Sequence, residues 1–161
     1  MPRRTHLVII IATVTASLAL VLKSTGSGLG RPHVLHGQIT PADSLAGVFE
    51  GRTPCGRIAT EFTGFPSANC EKVKWRHTFY RDAATGNPTS YRYEGTRTTR
   101  LGRWRMVSER GRIVYHLTPS GPGAALSLLN VDDRVLLLLD STGRVLVGDA
   151  SWSYALNRVD R

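Results

Sequence analysis

The sequence predicts an all-β domain, a small antiparallel up-and-down barrel of about eight strands, preceded by an N-terminal hydrophobic leader helix. Three observations predict it. From residue 47 onward, short runs rich in Val, Ile, Leu, Thr, Tyr and Trp alternate with Gly, Pro, Asn and Asp clusters. The run Lys72–Arg81 alternates strictly, with Val73, Trp75, His77 and Phe79 on one face and Lys72, Lys74, Arg76, Thr78 and Tyr80 on the other. The links are of hairpin length, and a meander of such strands tends to close because closure removes exposed edges.

The chain of 161 residues holds one such domain after a leader (1–23) and a flexible linker (24–46), leaving 47–161 for the barrel. Arg3 and Arg4 precede the uncharged stretch Leu7–Leu22, and Lys23 ends it. As a helix this stretch measures about 24 Å, short of a hydrocarbon core of about 30 Å. It reads as a signal peptide or a signal anchor, with the domain exported and the positive end retained inside. No cysteine follows to be acylated. The Gly/Ser-rich segment after it, with Pro32, Gly37 and Pro41, reads as a tether. His33 and His36 lie there without a further ligand nearby in sequence.

Gly47–Thr53 is the first expected strand, turning at Pro54-Cys55-Gly56 into a second at Arg57–Thr63. The loop Gly64–Asn69 leads through Cys70 to the strand Lys72–Arg81. Ser90–Thr98 follows the turn Asp82–Pro88 and is continued or restarted at Gly102–Met106. Arg112–Thr118 is expected to turn Ile113, Tyr115 and Leu117 inward, and His116 outward. Ala125–Val131, the Leu-rich Arg134–Asp140, and Arg144–Val147 come next. Ser151–Val159 closes the domain with Trp152, Tyr154 and Leu156 on one face.

Cys55 and Cys70 are the whole cysteine inventory, and in an exported protein two cysteines read as one disulfide. Thiolate metal ligation is the alternative and would need His77, His116 or Met106 as partners. No Ser/His/Asp constellation, carboxylate pair or Gly-rich phosphate loop is visible, so no catalytic residues, no cofactor and no metal are assigned and a non-enzyme is expected. The net charge is +9, with 18 Arg and three Lys (Lys23, Lys72, Lys74). Residues 71–105 carry nine basic against three acidic groups, interleaved with aromatics, which reads as outward charge alternating with an inward aromatic core or, on an exported barrel, as a face for anionic lipid or cell-wall polymer. No dense basic run points to nucleic acid.

The domain resembles the NlpE-like family, the N-terminal domain of an outer-membrane lipoprotein linked to copper homeostasis and envelope stress. The resemblance rests on Gly47-Val48-Phe49-Glu50-Gly51-Arg52-Thr53-Pro54-Cys55, on Tyr93-Glu94-Gly95-Thr96 or Leu101-Gly102-Arg103-Trp104, and on Leu137–Gly143 followed by Ser153–Arg158, in that order. It implies a lipocalin-like barrel on the outer side of a bacterial inner membrane. The family's corner carries a second cysteine where this chain has Ile58, and the acylated cysteine is absent. The expected function is therefore an exported, non-enzymatic envelope protein, a binding or stress- and copper-homeostasis-related module bound to the membrane through its N-terminal segment. The alternative is a lipocalin-like carrier of a small apolar ligand in a cavity walled by Trp75, His77, Phe79, Tyr115 and Leu137.

Overall fold

The structure, a computed structural model, describes residues 38–64 and 70–159. The leader, His33, His36 and most of the expected linker lie outside the described residues. Eight strands run in chain order: β1 (Asp43–Thr53), β2 (Val73–Asp82), β3 (Pro88–Glu94), β4 (Thr99–Glu109), β5 (Arg112–Pro119), β6 (Leu126–Asn130), β7 (Val135–Leu139) and β8 (Ala155–Arg158). Each pairs antiparallel with the next, and β8 returns to β1 through Phe49↔Arg158 and Glu50↔Asn157, closing the barrel. Val159 adds a backbone bond to the Val48 carbonyl at 2.8 Å.

The alternation that marks β2 in the sequence is what builds the core. Val73, Trp75, His77 and Phe79 are all buried, and they meet inward residues of the neighbouring strands: Phe49, Tyr91, Tyr93, Trp104, Tyr115 and Leu117. Leu126, Leu128, Leu136, Leu138 and Leu156 fill the opposite wall. Two backbone approaches explain glycines in strands. A methyl on Gly102 would meet the Thr118 carbonyl oxygen and come within 2.5 Å of the Tyr91 ring. One on Gly51 would come within 2.5 Å of the Ala155 carbonyl oxygen and 2.7 Å of Leu156.

The segment Arg57–Thr63, expected as a strand, is instead a helix, α1 (Arg57–Thr63). Its buried residues are Ala59, Phe62 and Thr63, spaced by three and four, the helical rather than the strand period. Gly56 enters it in extended backbone, and Gly64 ends it in the left-handed conformation, donating its N–H to the Thr60 carbonyl at 2.8 Å. Arg57 and Glu61 pair one turn apart on the exposed side.

Other boundaries shift for local reasons. β1 begins at Asp43, inside the expected linker, because Asp43, Ser44 and Leu45 pair with Asp82, Arg81 and Tyr80 ahead of an irregularity at Leu45/Gly47. The fourth expected strand is two, β3 and β4, joined by a turn in which Gly95 donates to the Thr98 carbonyl. Arg144–Val147 contributes only the bridge Leu139↔Val145. β8 starts four residues later than Ser151 because the Asp149 carboxylate accepts the N–H groups of Ser151 and Trp152, folding that stretch into a turn. Trp152 therefore does not share a strand face with the buried Tyr154 and Leu156. Ile113, expected inside, is 40% exposed, because it lies at the rim next to the Arg110-Gly111 turn.

Candidate functional site

Two regions gather the chemistry-bearing side chains: the barrel interior under α1, and the outer wall beside it. Both lie at the end of the barrel where β1 finishes and β2 starts.

Cys55 and Cys70 form a disulfide, with Cα atoms 5.9 Å apart. The bridge brackets α1 at both of its ends in sequence. α1 is too short to hold itself together in water, and its position comes from burial. Phe62 is fully buried, with ring centroids 5.6 Å from Trp75, 5.4 Å from Tyr93 and 5.8 Å from His77. The helix thus drives an aromatic side chain into the barrel, where it meets Trp75 and His77 in the first half of β2 and Tyr93 near the end of β3.

The four residues Trp75, His77, Phe79 and Tyr115, expected to wall a cavity, touch one another or shared neighbours. Trp75 stacks on His77 at 5.6 Å, His77 on Phe79 at 5.8 Å, and Phe79 meets Tyr115 edge-on at 5.7 Å. Leu137, the fifth, does not face inward. In β7 the buried positions are Leu136, Leu138 and Leu139, and Leu137 falls on the outward register opposite Leu129. A run of four leucines hides its own periodicity, so the sequence alone misassigns the face.

Several polar atoms in this interior have partners. The Trp75 indole donates to the Thr53 hydroxyl at 2.9 Å, and the Trp104 indole to the Tyr80 carbonyl at 2.7 Å. The Tyr93 hydroxyl donates to the Lys74 carbonyl at 3.4 Å. His77 differs: it is fully buried, and among the described residues neither ring nitrogen has a hydrogen-bond partner. Rings rather than polar groups surround it. Burial pushes the His77 imidazole down to about 3, since a charged ring has nothing to solvate it. Burial raises the Tyr93 phenol to about 12 and the Tyr91 phenol further.

His116, read as exposed, is half-buried and partnered. Its Nε2 lies 2.7 Å from the Glu109 carboxylate and its Nδ1 3.0 Å from the Ser127 hydroxyl. The β5–β6 register sets Ser127 opposite His116, whereas Glu109 reaches the ring from further along β4, where it stands opposite Arg112. His116 lies on the outward register of β5, whereas His77 is buried inside from β2. Among the described residues no group of three or more His, Cys, Asp or Glu stands together as a metal site, and no helix is long and apolar enough to cross a membrane.

The outer wall carries a groove of about 760 Å³. Glu50 and Arg52 of β1 and Lys74 and Arg76 of β2 form its floor. Its flanks are Glu94–Thr96 on one side and Ser151–Ser153 with Asn157 on the other. Arg76 pairs with Glu50 and, at 3.6 Å, with Glu94, which also holds Arg92 at 3.2 Å. Lys72 places its ammonium 4.8 Å from the centre of the Trp152 ring. This arrangement suits recognition of a ligand from outside the barrel. Comparison with protein-family models, curated proteins and solved structures finds no match for this chain.

Proposed function

We propose that this chain is an exported, non-enzymatic binding module of the cell envelope, an NlpE-like barrel that meets its partner on the outer wall. The Leu7–Leu22 segment serves as its signal peptide or membrane anchor. The observation that carries the reading is the Cys55–Cys70 bridge. Disulfides persist in oxidising compartments and are rare in the cytosol, and the bridge consumes both thiols, leaving no thiolate to ligate copper while it is intact. A binding or envelope-stress role thus fits this chain better than metal handling.

A lipocalin-like carrier of a small apolar ligand is the competing reading. An eight-stranded barrel has room for one small ligand or for its own side chains. The ring-to-ring contacts of Phe62, Trp75, His77, Phe79 and Tyr115 favour the second use.

Alkaline phosphatase, active only outside the cytoplasm, tests export when fused after Arg161. The fusion is expected to be active, and inactive once residues 1–23 are deleted. Activity confined to a cytoplasmic reporter in the intact chain would overturn the proposal.

A further inference from the structure

The groove on the outer wall contains a charge arrangement that the described residues leave without an ion pair. Arg52 and Lys74 stand directly opposite one another in the β1–β2 register, both exposed, and both line the groove. Like charges directly opposed across antiparallel strands repel and destabilise the pair. The neighbouring cation Arg76 is held by two carboxylates, yet among the described residues neither Arg52 nor Lys74 makes an ion pair. An anion placed between them turns the repulsion into two attractions.

Beside this pair stands Trp152, fixed by the Asp149 turn, in which the backbone N–H groups of Ser151 and Trp152 each donate to the Asp149 carboxylate at 2.8 Å. Its half-buried ring forms part of the groove, which Ser151, Ser153 and Asn157 also line, and the Lys72 ammonium stands 4.8 Å from the ring centre. The electron-rich face of an indole attracts polarised C–H groups, such as those on one face of a sugar ring. A peptide that adds to a sheet as an extra strand needs an open edge, whereas this barrel is closed.

We propose that this groove binds an acidic oligosaccharide. One sugar ring packs its C–H face on Trp152, its carboxylate lies between Arg52 and Lys74, and adjoining hydroxyls meet Ser151, Ser153 and Asn157. The inference gives a ligand class to the binding module proposed above and rests on that reading, while the export assay tests the compartment independently of any ligand.

The test uses the full-length chain in detergent with its disulfide intact, titrated calorimetrically with tetragalacturonate. Maltotetraose and tetraglutamate serve as the neutral-sugar and acidic-peptide controls. Saturable binding of the uronate is expected, with maltotetraose weaker by about tenfold or more, the scale of a lost charge-assisted contact. Arg52→Glu and Lys74→Glu should each weaken uronate binding by about tenfold or more. Each should also raise the melting temperature, because the repelling pair becomes an attracting one. Trp152→Ala should weaken the uronate and leave tetraglutamate unchanged. Because the two charge variants alter exposed side chains, they report even if Trp152→Ala fails to fold. Absence of saturable uronate binding, or binding indifferent to both charge reversals, overturns the proposal. Equal affinity for tetraglutamate, insensitive to Trp152→Ala, overturns it in favour of an acidic peptide.

Discussion

Among the described residues His77 is the one side chain with two buried polar atoms that lack a hydrogen-bond partner. Its ring is enclosed by Trp75, Phe79, Phe62, Tyr91 and Tyr93, and its two nitrogens have no partner among the described residues. An unpaired buried polar group costs about 1–3 kcal/mol, so this residue is a source of strain in the fold rather than of stability at any pH. The sign of the pH effect follows from the depressed imidazole. The unfolded chain takes up the proton near the ordinary histidine value of 6.5, whereas the folded chain resists it until about 3. His77 therefore adds no pH dependence to stability above 6.5 and erodes stability as pH falls from 6.5 towards 3, by about 1.4 kcal/mol per pH unit for one proton. In His77→Leu that slope should be absent. Denaturant midpoints of parent and variant, followed by tryptophan fluorescence between pH 7 and 4.5, check this as a difference of slopes. Equal slopes would show that the ring reaches solvent or a partner in solution.

At the scale of elements, α1 is the piece whose stability is borrowed. Its seven residues contribute little by themselves, and the helix is held by Phe62 in the interior and by the bridge that brackets it. Phe62→Ala should cost about 3–5 kcal/mol. Reduction of the bridge, which spans 15 residues, should cost about 3 kcal/mol in the chain-entropy account. Hydrogen exchange should show the loss first in α1 while β4 and β5 stay protected; uniform loss across the barrel would mean that α1 and the strands unfold as one unit. These elements were not equally legible in the sequence. β2 was, because strict alternation from Val73 to Phe79 is a local signal that burial then obeys. α1 was not: Ile58, Thr60 and Thr63 are β-branched and favour a strand, while the helical spacing of Ala59, Phe62 and Thr63 spans barely one turn. The insertion of Phe62 among Trp75, His77 and Tyr93 decides the matter, and that contact is tertiary. The disulfide was legible from two cysteines and a leader. The groove was not, since Arg52 and Lys74 become neighbours only through register.

At the scale of the whole molecule, a closed meander puts its apolar side chains inside and leaves its chemistry on the outer wall. The eight strands are paired on both sides, so no long edge is offered to other chains. The chain carries a net charge of +9, and on the outward positions of β2 to β4 Lys74, Arg92, Arg103 and Arg105 are exposed. A basic exterior concentrates anionic partners near the surface in a salt-dependent way, which suits an envelope lined with acidic polymers and lipids. As proposed above, the domain lives oxidised, outside the cytoplasm, with Cys55 bonded to Cys70. Thiol trapping in intact cells tests it most directly: cells are quenched in acid and their proteins are denatured and treated with a maleimide-linked polymer that retards each tagged chain on a gel. The full-length protein should remain untagged until a reductant is added, and should carry two tags without reductant when residues 1–23 are deleted. A doubly tagged full-length chain in the absence of reductant would contradict the account.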